Sequence, residues 1–257
     1  VFDARVPAAE WIMVLKHKRA FTLVELLVVI SLIGLLMGIL LPSLTAARER
    51  GRNIVCRSNL KNIGMALRMY LDASGGRMFS AEPYPGSYGQ KSQHWFMNQT
   101  FVKNLGLEVL NDASGKILGV GKGRTVLTCP THKRPDMTRD DAPDYPTELR
   151  GFSLSYMANG TLGVAGRANM PTSYRNESEY KRPARAMMFC DGNGTSQIPG
   201  VVLFDGCPMA NFEYRHKNKT NVLFLDQHIE PFAESDIPFC SRFDRARFGE
   251  FWYARQK

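Results

Sequence analysis

Residues Lys16 to Arg50, KHKRAFTLVELLVVISLIGLLMGILLPSLTAARER, decide how this chain is organised. A short basic run, Lys16-His17-Lys18-Arg19, ends at the small residue Ala20. A long apolar segment follows from Phe21 to Leu41 and carries one charge, Glu25. About 20 such residues, rising about 1.5 Å each as a helix, cross a hydrocarbon core roughly 30 Å thick. The apolar core of a secretory signal is shorter, about 7–15 residues, so this segment is expected to span a membrane. An ionised carboxylate in lipid is costly and calls for a partner, which makes Glu25 a candidate functional residue.

Lys16, Lys18 and Arg19 favour an N terminus on the cytoplasmic side, whereas Arg48, Arg50 and Arg52 on the other flank oppose that rule. Ahead of the basic run, residues 1–12 match no targeting pattern. A translation start at Met13 gives the compact leader MVLKHKRA and leaves residues 1–12 untranslated.

Beyond the apolar segment the helical period continues. Leu60, Ile63, Leu67 and Tyr70/Leu71 recur at spacings of three and four, which places them on one helix face. Gly75-Gly76 supplies a stop. The expected division is a leader over 1–20, one long helix over 21–75 with its transmembrane part at 21–42, a head over 76–238 and a tail over 239–257. The helix would be roughly 80 Å long if continuous, with Gly34, Gly38, Pro42 and Gly51 as its weak points.

The remainder is loop-rich, with Pro and Gly clustered in 82–89 and a polar, Pro- and Asp-bearing stretch at 130–146. Strands are expected at 125–128, 152–156, 186–190, 201–204, 212–215 and 221–232, and a second, shorter helix at 94–110. Short strands after one long helix predict an α+β head, an antiparallel sheet laid on the helix with long loops. The tail mixes Phe243, Phe248, Phe251, Trp252 and Tyr253 with arginines, a pattern of aromatics packed on the head or of a contact surface for neighbours.

In 257 residues, 33 Lys and Arg against 24 Asp and Glu leave a net charge of +9. The excess is scattered, which fits an ordinary basic surface rather than a nucleic-acid stripe. Five cysteines make an odd count, and no pair has the two-residue spacing of a zinc knuckle or redox motif. Outside a reducing compartment one or two disulfides are open to them, without a preferred pairing.

Glu213, His216, Asp226, His228 and Glu230, with Asp191 and Asp205 on nearby strands, form the richest polar cluster. Pairing residues 212–216 with 222–226 through a five-residue turn sets Asp226 opposite Phe212, roughly 13 Å along the strand from His216. At that separation the two residues hold loops by separate hydrogen bonds rather than sharing a metal. Asp226, His228 and Glu230 then line the solvated face of one strand. Cys129 and His132 are close in sequence, but nucleophile and base meet through the fold, and no nucleophile elbow, phosphate loop or zincin motif occurs. No catalytic, cofactor or metal residue is assigned, and enzymatic activity is not expected.

The order basic run, small residue, Phe21-Thr-Leu-Val-Glu25 and long apolar stretch resembles the N terminus of type IV prepilins and type II secretion pseudopilins. That resemblance implies a pilin-like fold, leader cleavage between Ala20 and Phe21, N-methylation of Phe21 and an assembly role for Glu25. The partners it implies are the prepilin peptidase/methylase, copies of this chain or other pilin-like subunits, an inner-membrane assembly platform and membrane lipid. It also implies a single-pass location in the cytoplasmic membrane, head outside, before entry into a filament. Pro42 fits the same pattern, while Ala20 stands where the family usually has Gly.

Cys56 to Phe79, Leu127-Thr-Cys-Pro130, Ser155-Tyr-Met-Ala-Asn-Gly160 and Arg182-Pro183 leading into Met187–Asp191 are similar to a bacterial subgroup of these proteins. The subgroup is named for a C-terminal H-x9-D-G element. Here it is present as His216 and Asp226, with Gln227 in place of the Gly. The resemblance implies a structural subunit. The competing expectation is a membrane-tethered protein that binds glycan or DNA and never polymerises; a membrane-anchored metal enzyme is a third.

Overall fold

A computed structural model describes residues 22–79, 95–111, 117–120, 125–132, 154–159, 176–192, 201–202, 212–237 and 251. The chain divides into two compact units, residues 1–47 and 48–257. Helix α1, Leu23–Ala73, with Thr22 ahead of it, supplies what is described of the first unit and opens the second.

In the first unit the apolar side chains from Leu23 to Leu44 are exposed, and none of the most apolar stretch is buried. By length and composition this half of α1 is able to cross a membrane. The helix passes Gly34, Gly38, Pro42 and Gly51 without a break.

In the second unit the same helix turns amphipathic. Cys56, Leu60, Ile63, Leu67 and Leu71, one face by their spacing, are all completely buried. The stop lies where Gly75-Gly76 predicts it. Both glycines take positive φ, 64° and 79°, and the Gly76 N–H donates to Leu71 O at 2.7 Å, the closing bond of a Schellman cap.

Helix α2 is Gln99–Asn104, preceded by a 3-10 turn at Trp95–Met97, so the helix expected over 94–110 is two short pieces. Asn98 caps α2 by accepting from the Phe101 N–H at 3.0 Å. Strands β1 (Val109–Asn111) and β2 (Ile117–Val120) form a small antiparallel pair.

The main sheet holds β3 (Tyr156–Asn159), β4 (Met187–Asp191), β5 (Val201–Val202), β6 (Lys219–Phe224) and β7 (Ile229–Ala233), in the order β5-β3-β4-β6-β7. Four strands run antiparallel to their neighbours, giving the expected α+β, pilin-like layout of one long helix and a following sheet. The fifth, β5, pairs parallel to β3 at the edge, against the expectation of a wholly antiparallel sheet.

Strands β3 and β4 are buried along their whole length because both faces of the sheet are covered. Leu223, Ala158 and Tyr156 join the helix face of α1 with Trp95, Phe101 and Phe79. Val222, Phe224 and Met157 join Phe212, Ile237 and Phe251 on the other side, which puts one aromatic of the C-terminal tail into the core as expected. Strand β4 sends both Met188 and Phe189 to the α1 side, a break in alternation that follows from the register shift between Met187 and Phe189. Phe189 thereby stacks on Phe101, rings 6.2 Å apart and 8° from parallel.

Three expected strands are corrected. Residues 125–128 form a turn, closed by the Thr128 N–H donating to Thr125 O at 3.0 Å, and make no strand. Residues 212–215 make only an isolated bridge, Phe212 to Gly192, and the 221–232 run is broken by a turn at 225–228. The hairpin turn is two residues rather than five. His216 and Lys219 exchange backbone bonds at 3.1 Å while Lys217 and Asn218 both take positive φ, 52° and 59°, the geometry of a type I′ turn. Asp226 therefore sits in the turn between β6 and β7, and nothing of it faces Phe212.

Candidate functional site

Ala20 and Phe21, the expected cleavage and methylation positions, lie outside the described residues. Thr22 and Glu25 are described, and they close a capping box at the start of α1. The Thr22 N–H donates to Glu25 Oε2 at 2.9 Å and the Thr22 hydroxyl at 2.8 Å, while the Glu25 N–H donates back to Thr22 Oγ1 at 3.2 Å. The lone carboxylate of the apolar segment thus has a partner within its own chain. The Thr-x-x-Glu spacing ahead of an apolar run is the sequence signal for this cap, and Thr22 was not singled out from it.

The second constellation is in the head, under the hairpin turn at His216. Its Nδ1 lies 3.4 Å from Glu49 Oε1 on α1, and its Nε2 lies 3.5 Å from Cys129 Sγ and 3.9 Å from Asp191 Oδ2 on β4. Cys129 is bonded to Cys56 of α1 in a disulfide across 73 residues of sequence. Asp191 is completely buried. Its Oδ2 accepts from the Asn221 backbone and side-chain N–H groups, both at 2.9 Å, and its Oδ1 has no hydrogen-bond partner. Burial pushes this carboxyl up, opposed by the Arg215 guanidinium, the Asn221 bonds and His216. Burial, with Asp191 beside it, also pushes the neighbouring Cys190 thiol well up, which keeps it neutral.

Beside this group, His132 Nδ1 meets Ser155 Oγ at 2.9 Å and His132 Nε2 lies 3.8 Å from Glu213 Oε1. Serine, histidine and carboxylate follow the order of a nucleophile, base and orienting acid. Ser155 is completely buried, however, so no carbonyl substrate reaches its oxygen. Arg215 spans the group, donating from Nη2 to Ser155 O at 2.5 Å and Gly192 O at 3.1 Å, with Nε 3.2 Å from Glu213 Oε2. Such a connected polar core fixes the strand ends and the turn.

Asp226 takes no part in it. The carboxylate accepts from the His228 N–H at 3.1 Å and faces His228 Nδ1 at 2.5 Å, while His228 Nε2 lies 3.9 Å from Glu230. All three residues are partly or largely solvated, but Asp226 and His228 lie in the β6–β7 turn and only Glu230 on a strand, so they do not line one strand face as expected. The structure thus joins Cys129, His132, Asp191, Glu213 and His216 and leaves Asp226, His228 and Glu230 as a separate group; Asp205 lies outside the described residues. Glu49 and Asn53 were missed, although they continue the buried stripe of α1 at i and i+4 before Cys56. Asn53 Oδ1 accepts from Asn221 Nδ2 at 3.1 Å, which ties the helix to β6.

Residues 15–41 match the prokaryotic N-terminal methylation motif. Over 56 residues the chain is 38% identical to the type IV wide pilus major component PilA4 of Thermus thermophilus, covering 22% of this chain and 43% of that protein. The chain therefore spans less than half the length of this relative. No solved structure matches. The methylation motif together with an exposed apolar helix fits a protein anchored in a membrane.

Proposed function

We propose that this chain is a pilin-like or pseudopilin-like structural subunit, cut between Ala20 and Phe21, N-methylated at Phe21, and assembled through α1 into a type IV filament or a type II secretion-like apparatus. The observation that carries this reading is the division of labour along one helix. Its first half, inside the matched motif, exposes a continuous apolar surface, and its second half is the spine of a folded head. Side chains that a water-soluble protein would bury are left for lipid and for neighbouring helices.

Assembly exchanges lipid contacts for helix–helix contacts. Glu25 offsets the cost of burial by pairing with a cation, the amine of Phe21 in an adjacent subunit. The peptidase/methylase, the inner-membrane platform, other pilin-like subunits and lipid are the partners this requires, and the head faces outward from the cytoplasmic membrane and then from the filament. No catalytic step is asked of the head.

Mass spectrometry of the mature N terminus tests the reading. A chain beginning at a methylated Phe21 is expected; an intact Lys16–Arg19 leader would leave only an anchored protein. Glu25→Ala separates subunit from tethered binder, since it is expected to stop assembly and leave the head folded.

A further inference from the structure

We propose that in the reduced chain Cys56, Cys129 and His216 bind a zinc ion, with the Asp191 carboxylate turning in from beside His216 to complete the shell. One ligand atom from each of the first three already lies within 4.8 Å of the others, and all three residues are buried. Tetrahedral zinc, with Zn–S about 2.3 Å and Zn–N about 2.0–2.1 Å, sets a sulfur and a nitrogen about 3.5 Å apart. Cys129 Sγ and His216 Nε2 are 3.5 Å apart.

Two further features point to a cation. Asp191 Oδ2 lies 3.9 Å from the same Nε2, and the other oxygen of this fully buried carboxylate has no hydrogen-bond partner. A divalent ion would give that free oxygen a partner. On the far side of the ring, Glu49 Oε1 lies 3.4 Å from Nδ1. Glu49 as acceptor assigns the proton to Nδ1 and leaves the Nε2 lone pair aimed at the sulfurs. This is the carboxylate–histidine support found behind metal-bound imidazoles.

Disulfide and metal exclude each other here. With the Cys56–Cys129 bond formed, neither sulfur is a thiolate. A dithiol or phosphine reductant delivers two electrons and breaks that bond, giving two thiols. Zinc then displaces one proton from each thiol and takes the neutral imidazole and the Asp191 carboxylate. Either state ties Cys56 on α1 to the 125–132 loop, so the ion holds in the reduced chain the join that the disulfide holds in the oxidised one.

The test uses the full chain purified in detergent under reducing, anaerobic conditions, titrated with cobalt(II) as a spectroscopic stand-in and then with zinc. Expected are one cobalt per chain, a thiolate-to-cobalt charge-transfer band, tetrahedral d–d bands, and loss of all three when zinc is added or when the disulfide is formed first. His216→Ala is expected to weaken binding at least about 10-fold and Glu49→Gln by about 10- to 100-fold. Absence of the charge-transfer band in the reduced wild-type chain overturns the proposal, as does a His216→Ala titration identical to wild type. X-ray absorption of the zinc-loaded wild-type chain decides the ligand set without any variant. Two sulfurs with two nitrogen or oxygen neighbours support the site, and a shell of four sulfurs or of oxygens alone rejects it.

Discussion

The side-chain oxygen of Gln227 fills the space in front of Gly64. A Cβ on residue 64 would collide with Gln227 Oε1 and would stand 3.2 Å from both Gln227 Cδ and Leu223 Cδ1. Helix α1 is therefore notched where the β6–β7 turn meets it, and Lys61 locks the contact by donating to Gln227 O at 3.0 Å. Gln227 itself takes φ 74°, a left-handed conformation that favours glycine.

The notch gives a double-mutant cycle. Gly64→Ala gains helix propensity of about 1 kcal/mol but forces Gln227 and Leu223 aside, and overpacking of this kind costs about 1–3 kcal/mol. Gln227→Gly relieves the positive φ, worth about 1 kcal/mol, and empties the notch. Gly64→Ala is expected to lower the denaturant midpoint of the head in the wild-type background and to raise it in Gln227→Gly. Equal shifts in both backgrounds would mean the two residues do not meet.

The Cys56–Cys129 disulfide closes a loop with a sequence separation of 73. Chain entropy alone assigns such a cross-link about 4 kcal/mol, at the upper end of the usual 2–4 kcal/mol. Replacing both cysteines by alanine is expected to destabilise the head by about 2–4 kcal/mol, read from denaturant unfolding without reductant. No loss would show that the helix–loop join rests on Leu60, Leu127 and their neighbours alone.

What was legible in the sequence is what local rules decide. The apolar stretch, the amphipathic stripe and the Gly75-Gly76 stop depend on residues within a few positions of each other, and each lies where expected. The hairpin at Lys217-Asn218 was misread because a two-residue turn with both residues left-handed is signalled by Asn-Gly or Asp-Gly, and Lys-Asn carries only half of that signal. From that one error followed the wrong partner for Asp226. The polar core was legible only as a list: Asp191, Glu213 and His216 stood out by type. Nothing local says that Glu49, 167 residues before His216, would face it, nor which cysteine Cys129 would take.

Arg68 clamps α1 to the turn that opens at Asn176. Its guanidinium meets Glu177 through Nη1 at 2.5 Å and Nη2 at 2.9 Å, and Asp72 through Nε at 2.9 Å and through Nη2. The two carboxylates hold this arginine firmly charged, and Arg68 in turn holds the Asp72 carboxyl below its usual range. A lowered carboxyl contributes stability above its unfolded value, about pH 4, and that contribution is lost as pH falls through the lowered folded value. Arg68→Ala is expected to cost about 1 kcal/mol at neutral pH through the Glu177 contact, a figure kept small by solvent. It should also flatten the acid limb of a stability–pH curve. Arg68→Lys should recover less than half of the loss, because an ammonium cannot reproduce the forked contact. Full recovery by lysine would reduce the clamp to a point charge.

The last prediction separates two jobs that Glu25 combines. Within one chain it caps α1, because Oε2 accepts both the N–H and the hydroxyl of Thr22. In the proposed filament its charge pairs with an amine of the next subunit. Glu25→Gln keeps an amide oxygen able to accept from Thr22 and removes the charge, whereas Thr22→Val keeps the charge and removes the hydroxyl. If pairing drives assembly, Glu25→Gln forms no filaments although its leader is still removed, and Thr22→Val assembles with at most a modest loss, since a helix cap contributes about 1 kcal/mol. Sedimentation and electron microscopy read assembly, and mass spectrometry of the N terminus reads processing. Filaments from Glu25→Gln at wild-type yield would assign the carboxylate to the cap, and the burial of a helix bundle in the filament would then proceed without an ion pair. A loss in Thr22→Val as complete as in Glu25→Gln would show that the charge alone is not enough and that assembly also needs the cap, since Thr22→Val keeps the carboxylate and breaks only the capping box.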